Sequence, residues 1–358
     1  MTLAHETNVN VVLRKQGEIV LEERPVPTIQ PDEVLLNIKV TGICGSDVHY
    51  WLHGGIGDFK LKAPMVLGHE SAGIVVAIGD NVKHLQVGDR VAVEPGVSCR
   101  LCEECKTGHY NLCKDMKFAA TPPIDGTLCN YYAHAADFCY KIPDNLSLEE
   151  AACIEPLSVA IHTANRSNIR SGDRVMVFGA GPVGLLCCAM AKAAGAGHVS
   201  IADISPSRLE FAKSYYTDSQ IVLQRPEVGE PNIEYSRRTA KAILETEEMA
   251  DVVIDATGAE TCVQMSLMLA KNGGCVVLVG MGSAVQSLPV QELGAREVDI
   301  KGIFRYRNTY PRAVKMLSAG TIDVKPLITH SYPLKNALDA FEHVKSGRDG
   351  AIKVLILG

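Results

Sequence analysis

The chain has 358 residues, 47% of them hydrophobic and 21% charged, with a formal net charge of -6. That length exceeds what one hydrophobic core usually spans, so two domains are expected. The acidic balance gives no electrostatic footprint for nucleic acid or an anionic membrane.

No apolar run approaches the ~20 residues that cross a bilayer, and no basic stretch leads into an apolar one at the start, which reads as a cytoplasmic protein. Twelve cysteines in that compartment point to metal or core positions rather than disulfides.

Residues 8–13 and 18–22 read as a hairpin around Gly17. Pro25, Pro27 and Pro31 interrupt before a strand at 33–40. Short strands with many turns suit a small β-barrel. Cys44, Ser46, Asp47, His49 and Tyr50 then fall close together, followed by His69-Glu70 between Gly68 and Gly73. Cys44, His69 and Glu70 offer one soft and two harder ligands, a set that suits zinc. Taken singly, a lone Cys is usually a core residue and a lone His a hydrogen-bonded one. Two ligand types side by side between glycines are harder to explain as packing.

A turn and strand at 87–95 lead to Cys99, Cys102, Cys105 and Cys113. Four cysteines on one loop fit a closed tetrahedral thiolate site, which ties down a lobe too small for its own core. A disulfide pair suits the expected compartment poorly, and the spacing and acidic balance do not suit a nucleic-acid-binding ribbon. Pro122-Pro123 and Asp125-Gly126 make the 115–128 stretch a loop. A helix at 146–153 leads into Glu155-Pro156.

The apolar run 175–178 reads as a buried parallel strand. Gly179, Gly181, Pro182, Val183 and Gly184 follow as a Gly-x-Gly-x-x-Gly turn, and 185–194 continues as a helix. Gly179 permits the tight turn, Gly181 lets backbone approach a pyrophosphate, and Gly184 lets the helix pack on the sheet. The helix N-terminus directs unpaired N–H groups at the phosphates. A second strand at 199–202 ends at Asp203, about 20 residues on, where a carboxylate accepts the ribose hydroxyls of NAD and repels the 2′-phosphate of NADP. Arg208, close by, is the one residue that would suit the extra phosphate.

Ser205-Pro206 starts a helix well. A loop is expected at 225–232 and a polar helix at 236–249. Strands at 251–255 and 275–279 end at Thr257-Gly258 and at Gly280-Met281-Gly282, where ligands of such sheets sit. A strand at 299–304 precedes Arg305-Tyr306-Arg307, then a helix at 313–319 and strands at 321–326 and 352–357.

Gly68-His69-Glu70-x2-Gly73-x5-Gly79-x2-Val82 and Cys44-x-Ser46-x2-His49 together resemble the signatures of the zinc-dependent medium-chain dehydrogenases. The resemblance spans essentially the whole chain, because the nucleotide motif lies where that family carries it. It implies an α/β protein: a GroES-like β-barrel catalytic domain, residues 1–157 and 300–358, with a structural zinc lobe at 99–113, plus a Rossmann domain with a doubly wound parallel sheet, 158–299.

Phe118-Ala-Ala-Thr121-Pro-Pro and the later Gly126-Thr127-Leu128 resemble the sorbitol and xylitol dehydrogenase branch. Glu155 stands where the alcohol dehydrogenases of the family carry a cysteine ligand. The resemblance implies that Cys44, His69 and Glu70 hold zinc with a water that Glu155 binds or orients. Either Glu70 or Glu155 is then the third direct ligand. It also implies that Ser46 bonds the reacting hydroxyl, His49 relays the proton, and Asp47 hydrogen-bonds His69. Tyr50, Phe118, Thr121, Arg305 and Tyr306 would line the substrate pocket.

The expected function is zinc- and NAD-dependent oxidation of a polyol secondary alcohol to a ketose, of the xylitol-to-D-xylulose or sorbitol-to-fructose type. One catalytic and one structural zinc per chain and a homotetramer are implied, with no nucleic-acid or membrane partner. The alternatives are L-arabinitol 4-dehydrogenase or another zinc alcohol dehydrogenase, and, in a different class, a non-catalytic protein that binds NAD and zinc.

Overall fold

A computed structural model describes residues 7–358. The chain divides into two compact units, one made of residues up to Glu155 together with Arg307–Gly358, the other of Pro156–Tyr306.

The first unit is built on a seven-stranded sheet. Its path runs Cys139–Lys141, Arg90–Val93, Glu70–Ile78, Glu33–Gly42, Lys353–Leu357 and Ile328–Pro333, with Tyr131–Ala135 also pairing to Glu33–Gly42. All pairs are antiparallel except the last, where Lys353–Leu357 and Ile328–Pro333 run parallel. The hairpin Asn8–Lys15 and Glu18–Arg24 turns at Gly17, whose φ of 83° favours glycine, and pairs with Met65–Val66.

Two apolar clusters form its core. Val34, Leu36, Val75, Val91 and Val93 make one, and Leu13, Trp51, Leu67, Phe341 and Val354 belong to the other. In the second, the helices Gly45–His53 and Ala337–Ser346 meet through the edge-to-face rings of Trp51 and Phe341, 6.1 Å apart. The motif around Cys44 therefore sits on a helix.

The stretch 321–326, expected as a strand, is irregular chain and the start of a short 3₁₀ segment, Lys325–Leu327; the strand is Ile328–Pro333. Gly320 is in the left-handed region, and Pro326 has no N–H to give a ladder. The helix expected at 313–319 is Tyr310–Ser318, with a proline in its first turn.

The second unit is a six-stranded parallel sheet in the order Ser219–Val222, His198–Asp203, Arg174–Phe178, Ala250–Asp255, Ala270–Leu278, Asp299–Gly302. Its strand order reverses beside the first strand, as in doubly wound nucleotide-binding folds. Helices on either side bury these near-continuous apolar strands. The polar helix expected at 236–249 is Asn232–Ile243. Thr246 Oγ1 bonds the Ile243 carbonyl at 3.3 Å, a side-chain bond that competes with helix continuation. Asp299–Gly302 completes this sheet, so the chain leaves the unit after Tyr306 rather than at residue 300.

Candidate active site

One buried carboxylate organises the first cluster. Asp47 lies in the first turn of Gly45–His53. Its Oδ2 accepts from Cys44 N at 3.2 Å and its Oδ1 from Gly68 N at 3.0 Å. It thereby fastens the two segments that carry Cys44 and His69-Glu70. One donor atom each from Cys44, His69 and Glu70 lies within 4.8 Å of the others, a thiol, an imidazole and a carboxylate of the kind that holds zinc.

His69 Nδ1 is buried and makes no regular hydrogen bond, with Asp47 Oδ1 at 3.5 Å. The expected Asp47–His69 partnership stands at 3.5 Å, the outer limit of a hydrogen bond, while both Asp47 oxygens also accept from backbone N–H groups. Burial disfavours a charged His69 ring, but Asp47 and Cys44 outweigh it and hold the group well above its usual range.

The other expected site residues of this unit are distributed as follows. Ser46 is half-buried and His49 exposed on the helix that begins at Cys44, with Tyr50 buried one residue further. The Phe118 ring is 5.8 Å from that of His69. Thr121 closes a tight turn, its N–H bonded to the Phe118 carbonyl at 3.1 Å. Glu155 is buried near the start of Ile154–Ser167, and it is not one of the three residues that cluster within 4.8 Å.

Sequence reasoning missed Lys353. Its Nζ donates to Glu70 Oε1 at 2.9 Å, to Glu70 Oε2 at 2.6 Å and to the Ile43 carbonyl at 3.2 Å. The available signal was one charge inside the apolar run Ile352-Lys353-Val354-Leu355-Ile356, since buried lysines are nearly always paired. The next pair along the same two strands starts a buried hydroxyl chain, Thr41 to Ser71 at 2.7 Å and Ser71 to Thr127 at 2.6 Å.

Cys99, Cys102, Cys105 and Cys113 form the second cluster within 4.8 Å, all unpaired. Backbone N–H groups of Leu101 and Cys102 push the Cys99 thiol down to about 6, the environment of a metal-ready thiolate. The lobe is clamped by Arg100, whose guanidinium meets Asp137 at 2.8 and 2.6 Å. It is clamped again by Glu94, fully buried, which accepts from Tyr110 at 2.7 Å and Tyr140 at 2.8 Å. Burial pushes Glu94 up to about 7 against the pull of those two hydroxyls. Tyr110 in turn accepts from Asn308 N at 2.7 Å.

In the second unit the glycine turn has two distinct kinds of glycine. A Cβ on Gly184 would lie 1.8 Å from Gly179 O, whereas a Cβ on Gly181 would meet nothing within 4 Å. Gly184 is required for packing, and Gly181 fronts open space. Gly181 also precedes the helix Pro182–Ala193, which has no side-chain cap on its first N–H groups. That is the arrangement in which a helix end receives phosphate.

Asp203 Oδ2 accepts from Ala180 N at 2.7 Å and Oδ1 from Ser205 N at 2.8 Å, so the carboxylate is fixed to the turn. Arg208 N caps back to Ser205 Oγ at 3.4 Å. Asp255 holds the next turn, accepting from Thr257 Oγ1 at 2.6 Å and Gly258 N at 2.9 Å. Gly280 and Gly282 pack backbone to backbone on Gly258, where Cβ atoms would approach to 2.1 and 1.7 Å. The Arg305 guanidinium lies 4.7 Å over the Phe304 ring, and Tyr306 is buried.

Residues 30–144 match the family described as alcohol dehydrogenase GroES-like domain, and 182–319 match zinc-binding dehydrogenase. Sorbitol dehydrogenase of Mus musculus is 48% identical over 349 residues, 98% of this chain and 95% of its own. A protein of Aspergillus clavatus named "Probable D-xylulose reductase A" is 48% identical over 356 residues, 98% of this chain and 97% of its own. The crystal structure of L-idonate 5-dehydrogenase from Escherichia coli is similar, with a TM-score of 0.88 and 30% identity over 99% of each chain.

Proposed function

The chain belongs to the zinc-binding dehydrogenases with an alcohol dehydrogenase GroES-like domain, and we propose that it oxidises a polyol secondary alcohol to a ketose with NAD. The observation that carries this reading is the clustering of Cys44, His69 and Glu70 in a chain 48% identical to a sorbitol dehydrogenase. The similarity to "Probable D-xylulose reductase A" supports keeping xylitol beside sorbitol as a candidate substrate.

Cys44, His69 and Glu70 would hold the catalytic zinc, and Cys99, Cys102, Cys105 and Cys113 the structural one. When bound, the zinc supplies Lewis acidity that makes an alcohol easier to deprotonate, and the nicotinamide supplies the hydride acceptor. The chain's own residues do the rest. Ser46 hydrogen-bonds the reacting hydroxyl, and exposed His49, one helical turn on, passes the proton outward. Glu155 orients water or a substrate hydroxyl at longer range. Tyr50, Phe118 and Thr121 shape the pocket, with Arg305 and Tyr306 offering polar partners to further hydroxyls. A polyol requires such partners, since each buried unpaired hydroxyl costs ~1–3 kcal/mol.

Gly179, Gly181 and the uncapped start of Pro182–Ala193 receive the pyrophosphate, with Pro182 and Val183 in the first turn. Asp203 selects NAD, Arg208 flanks it, and Thr257, Gly280 and Gly282 approach the nicotinamide half. Among the described residues no helix is long and apolar enough to cross a membrane. Twelve unpaired cysteines support a reducing, cytoplasmic setting. A homotetramer is supported by the exposed edge strand Asp299–Gly302, with Ile300 41% exposed.

Initial rates with NAD on xylitol, sorbitol, L-arabinitol and ethanol, with zinc counted in the same sample, test the reading. Polyol oxidation with about two zincs per chain is expected. Ethanol as the best substrate would replace it with a simple alcohol dehydrogenase, and an inert, zinc-loaded protein with a binding role.

A further inference from the structure

Glu70 and Lys353 meet across a strand that lies between theirs. The sheet runs Glu70–Ile78, Glu33–Gly42, Lys353–Leu357. In the middle strand Gly42 is in register with Glu70 on one side and Leu355 on the other. A Cβ on Gly42 would stand 2.2 Å from Glu70 Oε2, so a side chain there would occupy the space in which carboxylate and ammonium meet. Through that gap Lys353 takes both Glu70 oxygens and is steadied by the Ile43 carbonyl. The two side chains are only 3% and 1% exposed, so water screens neither charge. The same carboxylate lies within 4.8 Å of the Cys44 and His69 donor atoms. One carboxylate thus faces two cation positions, and the chain itself fills one of them.

We propose that Lys353 is a positioning residue that competes with the catalytic zinc for Glu70, making that carboxylate an exchangeable ligand rather than a permanent one. The proposal rests on the reading of Cys44, His69 and Glu70 as a zinc site. A hydrogen-bond acceptor behind a metal ligand strengthens its grip on the metal. A buried ammonium behind a ligand does the opposite, because the carboxylate's charge is shared between two cations. Catalytic zinc sites keep one position open, and a carboxylate that can return to its own lysine leaves room for substrate. Gly42 belongs to the same device, as the gap through which the two charges reach each other.

The test is the rate at which the purified full chain surrenders zinc to a chromogenic chelator, with Cys44→Ser identifying the phase that belongs to this site. With Lys353→Met, Glu70 has only the metal to answer its charge. That phase should slow about tenfold, the scale on which partners of metal ligands act. Release from the four-cysteine lobe serves as the internal reference and stays constant. Lys353→Arg keeps the cation and should release zinc at the wild-type rate. An unchanged or faster phase in Lys353→Met overturns the proposal.

Lys353→Met leaves a buried carboxylate unpaired until metal arrives, so a second pair of variants guards against failure to fold. Glu70→Gln and Glu70→Gln/Lys353→Met carry no carboxylate to compete for and should release zinc at the same rate. A tenfold difference between them would show Lys353 acting on the metal directly, which also overturns the proposal. A wild-type chain with zinc in the four-cysteine lobe alone would remove the metal-site reading itself. Two zincs with no response to Lys353→Met would remove only this proposal.

Discussion

Gly184 leaves no room for a side chain beside Gly179: a Cβ at 184 would lie 1.8 Å from the Gly179 carbonyl oxygen. Gly181, between them, has open space where its Cβ would be and an ordinary φ of -81°. The two glycines therefore separate packing from ligand approach. Gly184→Ala should lose more than ~2 kcal/mol of stability together with NADH binding, since rigid backbone cannot give way. Gly181→Ala should melt like the wild type yet bind NADH about tenfold more weakly, because the added methyl stands where the pyrophosphate comes closest. Thermal melts alongside NADH fluorescence titrations decide. A Gly181→Ala chain with unchanged NADH affinity would place the pyrophosphate elsewhere.

Asp203 is fixed to the glycine turn through Ala180 N and to the following helix cap through Ser205 N. Asp203→Ser removes the charge that repels a 2′-phosphate and leaves a shorter acceptor. The ratio of kcat/KM for NADP to that for NAD should rise at least about tenfold, that is by ~1.4 kcal/mol of discrimination. Steady-state rates with both cofactors measure it, and an unmoved ratio would pass the selecting role to another residue.

The two cysteine-containing clusters should differ in what zinc does for them. Cys113→Ser opens the four-thiolate lobe, so the chain should lose about one zinc and become less stable, as structural sites contribute folding energy outright. Cys44→Ser should also lose about one zinc, with a smaller fall in melting temperature, because Asp47 still joins its two segments by backbone hydrogen bonds. Zinc per chain and melting curves of the two variants test the assignment. Equal destabilisation would mean that both metals hold the fold.

Glu94 sets a pH dependence. Burial raises its folded-state value to about 7 from an ordinary 4.5. Between those values the folded chain binds more protons at this group than the unfolded chain does. Its contribution is therefore fully present below about 4.5 and is lost as pH rises through about 7. Glu94→Gln keeps an acceptor for one tyrosine and cannot ionise. Relative to wild type it should gain stability as pH rises from 6 to 8, by ~1–2 kcal/mol. Denaturant unfolding of both chains at the two pH values checks this. A difference independent of pH would mean that Glu94 stays ionised throughout.

Much of this architecture is legible in the sequence because it depends on local spacing. The alternation at 33–40, the apolar runs at 175–178 and 251–255, and the Gly-x-Gly-x-x-Gly turn each follow from backbone geometry within a few residues. The grouping of Cys44, His69 and Glu70 is legible for a related reason, since the chemistry of the donors narrows the choice before the pairing of Glu33–Gly42 with Glu70–Ile78 brings them within 4.8 Å. Lys353 is not legible in the same way. Its role depends on which strand lies beside Glu33–Gly42, and on Gly42 having no side chain, neither of which is written near residue 353. The short 3₁₀ segment in place of a strand at 321–326 has a similar cause: Thr321, Ile322 and Val324 carry strand propensity, but Gly320 and Pro326 deny them a ladder. Asp47 illustrates a subtler gap. The resemblance pointed to His69, which lies 3.5 Å away, but not to the two backbone N–H groups that the same carboxylate fastens.

The catalytic unit is assembled from two stretches of chain that enclose the whole nucleotide unit. Glu70 and Lys353 are separated by 283 residues. At ~5–20 residues per second, a ribosome reaches Lys353 on the order of 15 to 60 s after making Glu70. Through that interval the nucleotide unit is itself being made, and the sheet that holds Glu70 lacks the strand Lys353–Leu357. A nascent chain thus carries an acidic, thiol-bearing half-site whose counter-charge has not yet been synthesised. If Lys353 competes for Glu70 as proposed, a cation that reaches Cys44, His69 and Glu70 during that window would meet no internal rival.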